Sequence, residues 1–420
     1  MAQSHGKAIF LSYEGFGQSY LETLYLPILD SIKKPPIDFT VVQFMPKNHP
    51  QKALDAAAAE RLGIPVHFLN YRNSPPVFST IYLILNGILK VGLLARREKT
   101  DFIHARTWIP GLIALGAKLF RPGLKFIFDT DGFVPEFRVE SGLLKNQGLM
   151  FKTLKKIEKL LIKKSDLILV RTNNARKILS NWYGDEAGSK IFVTPNGKDE
   201  NFYHAFSAAE NRKVRQKYNL SDETILVLYV GTLVENVLPD KMFRLFSNLK
   251  KLEPNSFFLV LTVSNYEPLN DMAKAEALTQ ADYKVERVLP AEIPSLISAA
   301  DVGISFRAAT LSMRGLSPLK VCEYLLCGTP AIVNASIGDL EELFEENKEL
   351  GFLLKEMSED ELKQTAEWIF KTAKPMRKRL RETARQGGIK EFGLSNIKKL
   401  YESVYRKLIN KEDFISKKEI

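Results

Sequence analysis

The sequence is poor in the residues that build disulfide-stapled or metal-held scaffolds. Of 420 residues only two are cysteine, Cys322 and Cys327, and only five are histidine. Two neighbouring thiols give no disulfide framework and fit a reducing compartment. No His or Cys cluster is spaced to hold a metal, so none is expected. The opening MAQSHGKAIFLSY has no apolar run ahead of a cleavage site, so no secretory leader is expected either. Repeats and low-complexity linkers are missing. Acid is scarce in one half only: residues 1–198 hold 28 Lys and Arg against 16 Asp and Glu, whereas residues 199–420 hold 32 against 33. The net charge of +11 therefore comes from the first half. Such asymmetry suits a polyanionic partner. With no nucleic-acid module in view, an anionic membrane surface is the expected partner, and a solvated basic face is the alternative.

A length of 420 residues exceeds one ordinary domain, and the 45% apolar share is enough for full cores. The pattern alternates strands and helices. Lys7–Tyr13 reads as a strand buried on both faces of a parallel sheet. The loop Tyr13-Glu-Gly15-Phe-Gly17-Gln-Ser then opens a helix through Ile32; Tyr20 stands where a dinucleotide fingerprint needs its third glycine. Strands are expected at Phe39–Phe44, Val66–Leu69 and Phe102–Arg106, with a helix over Gln51–Leu62. Val77–Arg97 is an apolar helix of nearly membrane-spanning length. Asn86, Gly87, Lys90 and Gly92 interrupt it and a strand follows at once, so it is expected to pack on the sheet with one edge free to touch lipid. Strand Phe126–Asp129 runs into Asp129-Thr-Asp131-Gly132. Carboxylates at a carboxyl strand end point into the crevice where open α/β sheets bind ligands; the other reading is helix capping. Leu149–Lys164 is a cationic amphipathic helix that fits either an anionic bilayer or the back of a sheet.

The second half repeats the alternation: strand Ile225–Gly231, helix Lys241–Leu252, strand Phe257–Val263, strand Val285–Val288, helix Ile293–Ala299 and strand Asp301–Phe306. Then comes Ser317-Pro-Leu-Lys320-Val-Cys-Glu323-Tyr-Leu-Leu-Cys-Gly328-Thr-Pro330. Pro318 suits a first helical turn, and Gly328 with Pro330 ends the helix before strand Ala331–Val333. The helix start offers free N–H groups beside Lys320, a ready phosphate site. Glu323, one turn on, is placed to grip a pair of hydroxyls such as a ribose. Helices fill the remainder, including an amphipathic one at Asn396–Ile409.

This stretch resembles the nucleotide-sugar signature of retaining glycosyltransferases with the GT-B fold, in particular family four with a Ser-Pro-x-Lys variant. Ile191-Phe-Val-Thr-Pro195-Asn196-Gly197-Lys-Asp199 resembles the same family's inter-domain junction. The resemblance implies two Rossmann-like doubly wound α/β domains facing each other across a cleft. They would span 1–196 on the acceptor side and 197–392 on the nucleotide-sugar side, with 393–420 crossing back as a last helix and a Lys-rich tail. It implies that Glu323 holds the ribose and that Ser317, Leu319 and Lys320 hold the diphosphate, with Gly231, Thr232, Arg314 and Gly17 around it. Asp129 and Asp131 would be sugar or acceptor contacts and, with Lys320, the catalytic set. Two family features are missing. The Arg expected after Gly231 is Thr232, and the Lys expected further on is Val237. Arg307, Arg314 or Lys320, and more weakly Lys241, are the candidates to replace them. The first Glu of the family's paired-Glu motif is Gly315.

The expected protein is therefore a cytoplasmic glycosyltransferase, peripheral on the membrane. It would move a sugar from a nucleotide diphosphate sugar to a glycan or lipid-linked acceptor with retention, in cell-surface polysaccharide or glycolipid synthesis, and without metal or other cofactor. The rivals are a nucleotide-sugar 2-epimerase and an inactive scaffold of the same fold.

Overall fold

The structure is a computed structural model that describes residues 6–13, 20–32, 37–71 and 74–410. The chain divides into two compact units, Met1–Pro195 with Ile397–Ile420, and Asn196–Asn396.

The first unit is built on seven strands: β1 (Gly6–Tyr13), β2 (Ile37–Pro46), β3 (Val66–Tyr71), β4 (Phe102–Arg106), β5 (Lys125–Asp129), β6 (Leu167–Val170) and β7 (Ile191–Val193). They pair in parallel in the order β3-β2-β1-β4-β5-β6-β7. The middle strands are buried along nearly their whole length, as a sheet covered on both faces requires. One face carries the helices Pro76–Glu98, Trp108–Ala117, Leu149–Lys164 and Asn173–Tyr183, whose Leu83, Ile113, Leu161 and Leu179 join the core with Ile103 and Phe126. Gly87 in the long apolar helix and Gly116 in the Trp108–Ala117 helix mark where the two helices touch. A Cβ on Gly87 would lie 2.6 Å from Ile113, and one on Gly116 would lie 2.5 Å from Ile88. The last helix, Leu394–Asn410, contributes residues from Ile397 onward to this unit. Its Tyr405 packs on Phe39 and Phe102.

The second unit has six strands: β8 (Ile225–Val230), β9 (Ser256–Leu261), β10 (Tyr283–Glu286), β11 (Val302–Ser305), β12 (Ala331–Asn334) and β13 (Gly351–Leu354). All pair in parallel, in the order β10-β9-β8-β11-β12-β13. The strand order reverses between β8 and β11, which is where such sheets bind ligands. β10 begins two residues earlier than the apolar pattern suggests. β13 and the helices Ala208–Lys217 and Glu267–Ala275 were not anticipated, because short or polar segments carry little periodicity.

The helix Leu319–Leu326 is fastened under the switch point by Tyr324. Its ring lies against Gly303, where a Cβ would approach to 2.5 Å. Its fully buried hydroxyl accepts from Val230 N at 3.0 Å and donates to the Ile304 carbonyl at 3.2 Å. One phenol thus bridges the ends of β8 and β11. Tyr324→Phe strands a buried N–H and a buried carbonyl and is expected to cost about 1–3 kcal/mol, read as a lower urea midpoint at unchanged m-value.

Candidate active site

At the carboxyl ends of β8 and β11 the backbone meets two cations, Lys320 and Arg307. Gly231 follows β8 with φ 135°, a conformation suited to glycine. Lys320, on the first turn of the Leu319–Leu326 helix, lies across it. A Cβ on Gly231 would stand 2.3 Å from Lys320 Cε and 2.8 Å from Nζ. The Lys320 ammonium sits 5.1 Å from the centre of the Tyr229 ring. Glu323, one turn along, does not serve as its counter-ion: Lys198 Nζ holds Glu323 Oε1 at 3.1 Å, and the Tyr203 hydroxyl donates to the same carboxylate. Burial, and after it the Arg307 guanidinium, push the Lys320 amine down to about 7, with Glu323 offsetting part of the effect.

Arg307 enters from the end of β11. Its Nη1 donates to Asn236 Oδ1 at 2.7 Å, its backbone N donates to Asn334 Oδ1 at 2.9 Å, and its carbonyl accepts from Asn334 Nδ2 at 2.9 Å. Val237 pairs with Arg307 through an antiparallel bridge. Each of the two positions that lack the expected cations has a cation near it. Lys320 stands over Gly231 beside Thr232, and Arg307 stands opposite Val237.

The two stretches singled out in the sequence meet here. Asn196 N donates to Ser317 Oγ at 3.2 Å, and Asn196 Nδ2 donates to the Ser317 carbonyl at 2.9 Å. Ser317 is buried. Leu319 begins the helix, while Pro318 caps it from outside rather than lying in its first turn. Thr232 is exposed, and its carbonyl accepts from the Tyr229 hydroxyl at 3.2 Å. Arg314 lies exposed on the Ser312–Gly315 turn. Gly17 lies outside the described residues. Lys198, Tyr203 and Asn236 were not anticipated. Lys198 had a usable signal, since it directly follows Pro195-Asn196-Gly197.

In the first unit the ends of β4, β5 and β6 converge on a second charged cluster. Asp129 is fully buried and forms an ion pair with Arg171. His104 Nε2 lies 3.3 Å from Asp129 Oδ2, and its Nδ1 lies 2.8 Å from the Tyr405 hydroxyl. Arg171 also donates to the Tyr401 hydroxyl at 2.9 Å. Burial raises the Asp129 pKa, but the Arg171 guanidinium and then His104 outweigh it and hold the carboxyl well below the usual range. Burial keeps the His104 imidazole below its ordinary value despite Asp129, so it is neutral near pH 7. Asp131 borders this core: its backbone N donates to Asp129 Oδ1 at 3.2 Å and its Oδ1 lies 4.0 Å from Arg171 Nε. Its side chain is 28% exposed and accepts from Arg106 Nη2 at 2.6 Å, and Arg106 stacks 4.6 Å from the Tyr25 ring. The backbone is strained at these strand ends, with φ of 69° at Thr107, 53° at Asp131 and 96° at Gly132. Such conformations gather at functional sites. Among the described residues no group of three or more His, Cys, Asp and Glu is placed to hold a metal.

Comparison with known families places both units. Residues 39–202 match Glycosyltransferase Family 4, and residues 210–387 match Glycosyl transferases group 1. The chain is a family 4 type, group 1 glycosyltransferase. Its two parallel sheets are the Rossmann-like domains of the GT-B fold. Among solved structures, a glycosyltransferase from Rickettsia africae superposes with a TM-score of 0.72 at 16% identity, covering 97% of this chain and 100% of that one. Anabaena HepE in complex with UDP and glucose gives 0.70 at 17%, covering 97% and 100%. A putative UDP-N-acetylglucosamine 2-epimerase from Listeria monocytogenes gives 0.61 at 12%, covering 99% of each chain. No curated protein matches.

Two outcomes follow for the glycosyltransferase. Removing the charge of Asp129 leaves Arg171 buried and unpaired, so Asp129→Asn is expected to cost about 3–5 kcal/mol. Asp131→Asn, partly exposed and at a φ that Asn tolerates, removes a carboxylate from the buried Arg106 but keeps an amide oxygen in reach of it, and should cost less than Asp129→Asn; chemical denaturation separates the two. Lys320 carries the opposite sign. Its folded pKa is depressed, so the folded chain pays for the buried charge fully below about pH 7 and sheds that cost as pH rises toward the unfolded value. Lys320→Met is expected to raise the melting temperature at pH 6 by more than at pH 9.5.

Proposed function

We propose that this glycosyltransferase takes its sugar from a nucleoside diphosphate sugar bound in the second unit. It would transfer that sugar, with retention of anomeric configuration, to a glycan or lipid-linked acceptor in cell-surface polysaccharide or glycolipid synthesis. The observation that carries the reading is the Lys320 ammonium, seated over Gly231 and beside Arg307 at the β8–β11 switch point. A half-buried cation next to another cation, whose neighbouring carboxylate is already engaged by Lys198, is a site suited to an anion. A diphosphate supplies it. HepE, of the same fold, was solved with UDP and glucose, which supports a nucleotide and a sugar as ligands of this fold.

The groups then take these roles. Lys320, Arg307 and the amides at Ser317 and Leu319 neutralise the diphosphate, with Gly231 and Thr232 shaping its seat and Arg314 at the margin. These cations, rather than a metal, stabilise the charge that develops as the sugar leaves. Glu323, held by Lys198 and Tyr203, accepts the ribose hydroxyls on its remaining lone pairs. The bond from the anomeric carbon to the diphosphate oxygen breaks while the acceptor oxygen bonds to that carbon on the same face. The acceptor's proton passes to the departing phosphate. Asp131, the exposed carboxylate of the first unit, is the better acceptor or sugar contact, and Asp129 acts through the Arg171 and His104 network. The protein works in the cytoplasm, at the membrane surface that its basic first unit favours.

Calorimetry with UDP, GDP, ADP and CMP tests the donor site. One diphosphate is expected to bind at micromolar concentration and to lose at least tenfold in Lys320→Ala. Bound phosphate raises the Lys320 pKa, so binding takes up a proton and should weaken roughly tenfold between pH 6.5 and 8.5. Lys320→Arg, whose charge does not titrate, should flatten that profile. Folded protein that binds none of the four overturns the reading. Release of free nucleoside diphosphate from a nucleotide-sugar without any acceptor product would instead favour epimerase-type chemistry.

A further inference from the structure

The outer face of the Pro76–Glu98 helix has no covering. Phe78 is 75% exposed, Tyr82 70%, Leu85 62%, and Ile81, Leu89 and Leu93 about half. At a helical period these six side chains fall on one stripe, about 22 Å long at the usual rise per residue. Water-facing apolar surface of this extent marks an interaction site. The opposite face is committed: Leu83, Val91 and Ala95 are in the core. The helix has the length and apolarity of a membrane span, yet its inner side is fixed to a sheet, so it cannot cross a bilayer without dismantling the first unit.

The charge around the stripe names the occupant. From residue 61 to residue 128 the sequence holds ten Lys and Arg, five of them ion-paired (Arg61, Arg97, Arg106, Lys118 and Arg121), but only two acids, Glu98 and Asp101. Both acids are already engaged, Glu98 by Thr40 and Arg97, and Asp101 by the Lys7 backbone and Arg121. Arg96 and Arg97 cap the end of the stripe, both exposed. In the same helical layer the Trp108–Ala117 helix packs between this helix and Leu149–Lys164. The latter presents Lys152, Lys156, Lys159 and Lys163 to solvent and buries its one acid, Glu158. An apolar stripe bordered by cations repels a second copy of itself and matches an anionic bilayer, where the stripe enters the acyl boundary and the cations meet the headgroups.

We propose that the Pro76–Glu98 helix is a monotopic docking element that lies flat in the headgroup region of an anionic membrane, with Phe78, Tyr82 and Leu85 inserted. This deepens the membrane part of the function proposed above and does not depend on the donor site. Flotation with vesicles of phosphatidylcholine alone, or with 30% phosphatidylglycerol (a composition chosen on the order of natural anionic surfaces), tests it on the full-length protein. Binding is expected to the anionic vesicles, at least tenfold tighter than to neutral ones. Leu85→Glu/Leu89→Glu should abolish it, while nucleotide calorimetry on that variant stays at the wild-type value and shows that it folds. A Phe78→Trp variant should shift its emission to the blue and be quenched by brominated lipid. Three results would overturn the proposal: no flotation of wild type with either vesicle, equal flotation of the Glu variant, or a wild-type dimer in sedimentation that the Glu variant converts to monomer. Flotation without nucleotide binding would sink the donor reading alone.

Discussion

The second unit turns on a charge that the protein buries without fully neutralising it. Lys320 can reach the end of β8 only because Gly231 has no side chain, and it stays there because Tyr324, one turn along the same helix, is pinned between β8 and β11. Desolvation and the nearby Arg307 make the ammonium costly to hold. Natural proteins retain such costs where a ligand relieves them. The rest of the pocket serves this arrangement: Asn236 and Asn334 fix Arg307, and Lys198 with Tyr203 keeps Glu323 from collapsing onto Lys320.

The first unit solves the same electrostatic problem the other way. Asp129 and Arg171 are both buried, but they are paired, and His104, Tyr401 and Tyr405 take up further hydrogen-bonding groups. Pairing of this kind leaves little uncompensated charge for a ligand to relieve. Asp131 differs in exposure: its carboxylate is paired with Arg106 but partly open to solvent, on a strained backbone. Two adjacent carboxylates that look alike in an Asp-x-Asp pattern thus have different physical standing.

Much of this was legible in the sequence, and the limits have physical causes. The apolar runs predict the inner strands, because a parallel sheet covered on both faces leaves nothing else for them to be. The Ser317–Pro330 pattern predicts the turn, helix and left-handed exit, since Gly328 does adopt φ 72°. Local chemistry cannot report partners far away in the chain. Asp129 reads as a cleft carboxylate until Arg171 and the last helix are seen to enclose it, and Glu323 reads as free until Lys198 is found against it. The missing cations posed the same difficulty. The cations that lie nearest those two positions come from a different helix and a neighbouring strand, so a motif aligned position by position does not find them.

The two cysteines have a practical consequence. Cys322 and Cys327 are both inside the Lys320 helix region, buried, with burial driving their thiols to higher pKa; Cys327 stays protonated even in mildly alkaline buffer. Thiol chemistry depends on the thiolate and on access, so both are silent toward maleimides and spin labels in the folded state. The wild-type chain is therefore already a background for single-site labelling. One cysteine introduced on the apolar stripe or beside Asp131 would be the sole reactive thiol, ready to carry a fluorophore or nitroxide without first engineering the native pair away.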